Sequence, residues 1–324
     1  MRKSMMMQQA PPVNRDIDLR GEQPGRLVFD RGGLVLAEYV YEPQDAQLES
    51  PRPYLSPLRT LGGEVVSLFR PHDHVWHKGI AWSLPVVGDE NFWGGPTFVR
   101  DEGYVQLANN GTQQHLGFRE TSGGSQARVR ENLDWITEAG VRLFSEEREF
   151  SCEIIDDRSW VLVFTTTMRN ETDATISMGS PTTRGRDNAG YGGLFWRGPR
   201  SFTGGALHAP GGSGGEELRG TREPWMGFSG QHDGSGAWST IVMVDDPANH
   251  GSPPQWFART ELFASLCPAP FFSTEVPVAP GENLRLRYAA VIADGNSDHD
   301  DAAQLAAAGL AALTSFPPQR KVAP

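Results

Sequence analysis

Residues 160–168 read Trp-Val-Leu-Val-Phe-Thr-Thr-Thr-Met and give the clearest strand pattern in the chain. β-Branched and aromatic side chains favour extended backbone, and a continuous apolar run predicts a strand buried on both faces. Residues 284–292 read Leu-Arg-Leu-Arg-Tyr-Ala-Ala-Val-Ile and begin with strict alternation. This second pattern predicts a strand with its leucines and tyrosine facing inwards and both arginines facing outwards.

The rest of the chain repeats short strand patterns between turn signals. Residues 34–41 and 80–87 are rich in apolar residues, and Pro85 predicts that the second run is an edge strand or ends there. Residues 141–150 alternate in part and are charged, which predicts one solvated face. With 37 Gly and 24 Pro, turns are frequent, and the one long helix pattern is the alanine-rich run at 299–313.

These patterns predict a mainly β fold, a large antiparallel β-sandwich with long loops and one C-terminal helix. Residues 15–316 are expected to form a single domain that includes the helix. Residues 1–14 are expected to be a disordered tail, and residues 317–324 a loose one.

Composition limits the classes of partner. The net charge of −11 and the lack of a long basic stripe argue against nucleic acid. No apolar run of about 18 residues is present, which argues against a membrane span. The first 13 residues lack the apolar core of a secretory signal, and Cys152 and Cys267 are expected to be buried free thiols, so a cytoplasmic protein is predicted.

A histidine cluster is the strongest chemical signal. Residues 70–79 read Arg-Pro-His-Asp-His-Val-Trp-His-Lys-Gly, with three of the eight histidines of the chain within six residues. Pro71 and Gly79 favour a turn that brings the imidazoles together. The cluster fits a metal site (Zn, Mn or Ca), a metal-free acid–base or binding site, or a hydrogen-bonded loop brace, and its spacing matches no strong zinc signature.

Two further polar segments are candidates for the same site. Residues 179–202 combine four arginines, which suit carboxylates and hydroxyl pairs, with flat aromatic rings and glycines. Residues 88–96 read Gly-Asp-Glu-Asn-Phe-Trp-Gly-Gly-Pro and offer Asp89 and Glu90 as acids. Internal Arg–Asp pairing and a simple turn between strands are the structural alternatives for these two segments.

Three ordered motifs carry a resemblance to a known family. Residues 52–63 begin Arg-Pro-Tyr-Leu-Ser-Pro, residues 70–79 contain His74 and His77, and residues 91–93 read Asn-Phe-Trp. Together they resemble DUF6807, a bacterial family that has also carried the label methane oxygenase. The resemblance spans roughly residues 27–295 and implies a fold similar to the galactose mutarotase-like supersandwich. Membrane methane oxygenases consist of transmembrane helices, so that label does not suit this chain.

Two functions follow from the residues and the resemblance. The first is an enzyme acting on a sugar or glycoside, of epimerase, lyase or hydrolase type, through His and carboxylate acid–base chemistry with or without a divalent metal. The second is a non-catalytic carbohydrate-binding or regulatory protein; a homodimer is compatible with both. The predicted catalytic residues are His72, Asp73, His74, His77 and Glu90, with the three histidines as the metal-ligand alternative. The predicted substrate-binding residues are Arg59, Trp76, Lys78, Asn91, Trp93, Arg184, Arg186, Asn188, Tyr191, Trp196 and Arg197.

Overall fold

The computed structural model describes residues 15–316, and the predictions for the two tails lie outside them. The first strands are β1 (Asp18–Arg20), β2 (Arg26–Arg31), β3 (Leu34–Val40), β4 (Tyr54–Leu58), β5 (Ile80–Val87), β6 (Glu90–Phe92), β7 (Thr97–Val99), β8 (Gly103–Val105), β9 (Thr112–Ser122), β10 (Gln126–Ile136) and β11 (Arg142–Ile154). They are followed by β12 (Ser159–Asn170), β13 (Ile176–Gly179), β14 (Gly193–Arg197), β15 (Ala206–Ala209), β16 (Gly212–Gly214), β17 (Trp225–Gln231), β18 (Trp238–Asp245), β19 (Gln255–Arg259), β20 (Ser265–Ala269), β21 (Val276–Val278), β22 (Asn283–Asp294) and the helix α1 (His299–Ser315).

Two large antiparallel sheets share a hydrophobic core. An eleven-stranded sheet has the order β1-β2-β3-β4-β5-β14-β20-β19, with β6 and β13 paired to β5 and β21 paired to β13. A nine-stranded sheet has the order β16-β15-β17-β18-β22-β12-β11-β10-β9, and β7 and β8 form a separate two-stranded sheet. The core contains residues of both sheets, including Trp82 and Trp196 from the first and Trp135 and Tyr288 from the second. This arrangement confirms the predicted antiparallel β-sandwich.

The two strands predicted most clearly lie side by side in the nine-stranded sheet. β12 pairs with β22 in the register Trp160 to Ile292 and Phe164 to Tyr288. One face of β12 enters the core between the sheets, and Val161 on the other face packs under α1. Burial on both faces accounts for the continuous apolar run.

The C-terminal helix is confirmed and covers the outer face of this sheet. The Asp298 side chain accepts a hydrogen bond from the Asp301 backbone N–H (2.9 Å) and caps the first turn. Ala306 packs against a cluster that includes Val244 and Val291. No helix within residues 15–316 has the length and hydropathy needed to span a bilayer.

Two local predictions are wrong. Arg287 does not face solvent; it donates to the Leu313 carbonyl (2.9 Å) at the end of α1, which lies over it. Pro85 lies inside a central strand, at the point where β5 changes partner from β14 to β13. Residues 141–150 have one partly solvated face, as predicted; on the buried face of β11, Glu146 and Arg148 form an ion pair (2.8 Å) beside core phenylalanines.

Both cysteines are buried free thiols, as predicted. Cys152 lies in β11 and Cys267 in β20. Burial raises the pKa of Cys267 to about 12, so this thiol is not a nucleophile at neutral pH.

Candidate active site

A cavity of about 340 Å³ opens on the outer face of the eleven-stranded sheet. We call it the aromatic cavity. Its lining residues come from the segment before β5, the turn after β6, β8, the loop before β14, β14 itself, β19 and the turn after β19. They are His74, Trp76, His77, Trp93, Gly94, Pro96, Tyr104, Arg186, Tyr191, Phe195, Phe257, Arg259, Leu262 and Phe263.

Alternation along β14 decides which of its side chains reach this cavity. Leu194 and Trp196 point into the core between the sheets, whereas Phe195 lines the aromatic cavity. Trp196 is fully buried and donates its indole N–H to the Val66 carbonyl (2.8 Å). The prediction that Trp196 stacks on a ligand is therefore wrong, because the neighbouring Phe195 occupies that position.

The histidine segment is folded into tight turns. The backbone N–H of His74 donates to the Pro71 carbonyl (3.0 Å), and that of His77 donates to the His74 carbonyl (2.9 Å). Gly79 leaves the turns with φ +69°, and a Cβ there would lie 2.4 Å from the Leu55 carbonyl oxygen. Only glycine fits this junction without strain, and the junction sets the direction in which β5 begins.

A buried ion cluster anchors the same segment. Lys78 is 1% exposed and pairs with Asp45 (3.0 Å) and with Glu49, which also binds Arg70. Burial lowers the pKa of Lys78, against the effect of the two carboxylates. The prediction that Lys78 contacts substrate is wrong, because both carboxylates hold the ammonium group away from the cavity.

His74 and His77 are stacked on each other at the wall of the aromatic cavity. Their ring centroids lie 4.6 Å apart with planes inclined by 14°. Around them stand Trp76, 5.4 Å from the His74 ring, and Phe195, 4.7 Å from the His77 ring. His72, in the same segment, is exposed and does not line the cavity.

Arg197 fixes the hydrogen-bonding state of His77. Its Nη1 lies 3.0 Å from His77 Nδ1, and its guanidinium carbon lies 3.9 Å from the Phe263 ring centroid. A guanidinium group can only donate, so Nδ1 accepts and the ring proton is on Nε2. Burial, with the nearby His74 and Arg197 charges, holds the pKa of His77 well below its ordinary value. His77 is therefore a neutral donor at physiological pH.

His74 has a different electrostatic setting. Its Nδ1 lies 3.2 Å from Asp73 Oδ2, and the same carboxylate oxygen lies 3.6 Å from Arg197 Nη2. Burial lowers the pKa of His74, while Asp73 opposes this shift. Burial alone would raise the pKa of Asp73, but His74 and Arg197 outweigh it and leave the pKa below its ordinary value. An ionised Asp73 can thus stabilise a protonated His74.

The three histidines do not fit a common metal ion. A metal bound by an imidazole nitrogen lies near the plane of the ring, and the stacked rings of His74 and His77 have nearly parallel planes. Nδ1 of His77 is occupied by Arg197, and His72 is exposed and does not line the cavity. Within residues 15–316, no group of three or more His, Cys, Asp or Glu side chains is arranged to hold a metal.

The opposite wall is built from the arginine-rich loop and the β7–β8 hairpin. The hydroxyl groups of Tyr104 and Tyr191 lie 3.0 Å apart, and Arg186 donates to the Tyr104 hydroxyl. Trp93 packs on Tyr191 with centroids 4.7 Å apart. The predicted residues Arg186, Tyr191 and Trp93 thus meet the histidines in one cavity.

Glu90 and Arg184 lie in a second cavity, of about 510 Å³, lined by other residues. Arg184 donates to the Gly88 carbonyl (2.9 Å) and lies 3.5 Å from a Glu275 oxygen. Burial, with the charge of Asp89, raises the pKa of Glu90. The structure therefore separates Glu90 from the histidines with which it was predicted to act.

Three other predicted binding residues lie outside both cavities. Asn91 is buried and braces the turn after β6 through hydrogen bonds with the backbone of Trp93 (2.8 Å) and Gly95 (3.1 Å). Arg59 donates to the Gly63 carbonyl (3.2 Å). Asn188 is exposed in a left-handed turn with φ +46°.

Sequence reasoning missed Phe257, Arg259 and Phe263. Phe257 and Arg259 alternate with Trp256 and Ala258, which enter the core between the sheets. The sequence of β19 alternates with a two-residue period, but this period does not indicate which face of the strand lines a cavity.

A model of the family of unknown function DUF6807 matches residues 26–307. The chain belongs to this family. No curated protein matches it.

Several solved structures are distantly similar to this DUF6807 chain. They include a heparinase III (10% identity, TM-score 0.38, 90% of this chain and 37% of that one) and a heparan sulfate lyase mutant from Pedobacter heparinus (7% identity, TM-score 0.41, 90% and 38%). A third is described as an aldose 1-epimerase from Klebsiella pneumoniae (11% identity, TM-score 0.34, 92% and 82%). The chain spans less than two fifths of the length of the first two of these proteins.

Proposed function

We propose that this protein is an enzyme that acts on a sugar or glycoside by proton transfer, with His74 as the group that accepts and returns the proton. The observation that carries the proposal is the pair of stacked, neutral histidines in the aromatic cavity, one held as a donor by Arg197 and the other beside Asp73. Two titratable groups with distinct protonation roles in one cavity are typical of acid–base catalysis.

The cavity suits a small hydroxylated ligand. Its volume of about 340 Å³ lies within the range of small-molecule sites. Trp76 and Phe263 offer flat apolar faces for the C–H face of a pyranose, while Tyr104 and Arg186 offer polar groups for hydroxyls. A mixture of broad aromatic walls and few polar groups positions a sugar ring without surrounding it with charge.

The chemistry follows from the two imidazoles. Neutral His74 takes a proton from a carbon next to a carbonyl group and becomes an imidazolium stabilised by Asp73, while the C–H electron pair moves to the carbonyl oxygen. The Nε2–H of His77 donates to that oxygen as it becomes negative. Expulsion of a β-oxygen, which takes up the proton from His74, gives elimination. Epimerisation needs a proton delivered to the opposite face of the carbon, and the Tyr104 hydroxyl on the opposite wall is the donor for that step; the phenolate then regains a proton from solvent, and His74 releases its proton to solvent.

The test measures turnover by NMR and binding by calorimetry across a panel of mono- and disaccharides, uronic acids and keto-sugars. We expect His74→Gln to lower turnover by about 10²–10⁴-fold, the usual contribution of a positioned base. We expect its ligand affinity to stay within about tenfold of the parental value. His72→Gln is the matched control in the same segment and is expected to behave like the parent.

The outcomes separate the candidate functions. Parental turnover in His74→Gln would remove His74 from the mechanism. Tight binding of a sugar without turnover of any panel member would make the protein a non-catalytic carbohydrate-binding protein. Failure of every sugar to bind would overturn the proposal.

A further inference from the structure

The aromatic cavity is positively charged in an acidic protein. The chain has a net charge of −11, yet Arg186 and Arg259 line the cavity, and no Asp or Glu among residues 15–316 lines it. Solvated acids elsewhere on the surface do not cancel a local charge inside a partly enclosed cavity, because the field there depends on the nearest groups.

The charge of Arg259 is only partly balanced. Its nearest carboxylate is Glu216, at 3.5 Å, and Arg219 lies closer to the same carboxylate, at 3.1 Å. Glu216 also accepts hydrogen bonds from the backbone N–H groups of Thr260 and Glu261 (3.2 Å each). Nε of Arg259 is buried and has no hydrogen-bond partner within residues 15–316. The Glu216 carboxylate is therefore shared between the guanidinium groups of Arg219 and Arg259, and its single negative charge does not balance both.

The other guanidinium groups add to this excess. Arg186 donates to the Tyr104 hydroxyl and lies 4.8 Å from the centroid of its ring, and no carboxylate within residues 15–316 forms an ion pair with it. Arg197, fully buried behind His77, lies 3.6 Å from Asp73, and its Nη2 makes no hydrogen bond to a described residue. Unpaired buried donors are costly unless a ligand supplies acceptors.

We infer that the ligand of the aromatic cavity is a sugar acid, with one carboxylate bound by Arg259 and Arg186 and the ring packed against the aromatic walls. This inference rests on the proposed function and names its substrate class. A planar carboxylate matches the forked donors of a guanidinium group, and one negative charge offsets the excess that Glu216 leaves. A sugar phosphate carries about two charges, and its desolvation in an aromatic cavity is less favourable.

The test is calorimetry with pairs of ligands that differ only in the carboxylate: glucuronate against glucose, and galacturonate against galactose. Glucose 6-phosphate serves as the arm for a different anion. We expect at least one sugar acid to bind about tenfold or more tightly than its neutral partner, with a preference that decreases as salt is added. Arg259→Gln is expected to remove most of this preference, and Arg259→Lys to retain part of it.

Controls make each outcome decisive. Arg200→Gln changes an exposed arginine outside the cavity and is expected to keep the preference. If Arg259→Gln does not fold, as judged by its melting curve, Arg186→Gln replaces it. Equal binding of acids and neutral sugars, or a preference for glucose 6-phosphate, would overturn the inference and leave the proposed function standing. Failure of all five ligands and of the wider panel would overturn both.

Discussion

Nη1 of Arg197 lies 3.0 Å from Nδ1 of His77, although 120 positions separate the two residues in the sequence. Arg197 is the last residue of β14, and its guanidinium group is held against the Phe263 ring. The contact places a permanent donor on one nitrogen of the imidazole. It therefore determines which nitrogen of His77 carries the proton, and it makes a proton-accepting role for His77 unfavourable.

Removal of this donor is expected to change the state of His77. In Arg197→Met, Nδ1 loses its partner and a nearby positive charge, so the pKa of His77 should rise towards its ordinary value while burial still holds it below. Nitrogen-15 NMR of the imidazoles should show a mixture of tautomers where the parent shows the Nε2–H form. Arg200→Met is the control. An unchanged tautomer in Arg197→Met would mean that Arg197 does not set it.

Protein stability is expected to fall in mild acid because of His77. The folded pKa lies below the unfolded one, so the unfolded state binds more protons below about pH 6.5, and stability is lost as the pH falls. The slope from one such group reaches about 1.4 kcal/mol per pH unit. Urea unfolding between about pH 5 and 7.5 should therefore show a flatter dependence in His77→Gln than in the parent or in His72→Gln. Identical slopes would contradict the assignment.

The buried Lys78 is expected to be a structural requirement of the histidine segment. Lys78→Met leaves Asp45 and Glu49 in the interior without the ammonium group, and the loss of one partner of a buried pair costs about 3–5 kcal/mol. Denaturant unfolding measures this change. The double variant Lys78→Met/Asp45→Asn should be less destabilised than the single one, because one uncompensated charge is removed. A double variant that is less stable than Lys78→Met would show that the uncompensated charge of Asp45 is not what destabilises the single variant.

The two tryptophans are expected to respond differently to substitution. Trp76 lines the aromatic cavity, so Trp76→Ala should weaken sugar binding by about tenfold or more. Trp196 faces the core, so Trp196→Phe should cost about 1–3 kcal/mol of stability through lost packing and the lost bond to Val66, with little change in affinity. Trp238→Ala, in the nine-stranded sheet, is the control for binding. Weaker binding in Trp196→Phe with parental binding in Trp76→Ala would contradict the assignment of faces.

Local pattern was sufficient for much of the fold. The apolar run at Trp160, the alternation that begins at Leu284 and the capped alanine-rich helix at Asp298 each depend on neighbours in the sequence, and each was predicted. The same holds for the turns around His74, since Pro71 and Gly79 restrict the backbone locally. Clustering in the sequence also kept His74, Trp76 and His77 near one another, and the turns place these three side chains, but not that of His72, in the wall of one cavity.

Tertiary structure decided which face of each strand is buried, and which distant segment covers each charged side chain. A two-residue period gives a strand two faces, but the packing of the sheets placed Phe195 in the cavity and Trp196 in the core. Charge shows the same limit. Lys78 was predicted to contact substrate and Arg287 to face solvent. Both are buried, because Asp45 and the end of α1 come from other segments of the chain. The proton position on His77 is likewise set by Arg197. Burial and hydrogen bonds act through space over a few ångströms, and the order of residues along the chain does not state those distances.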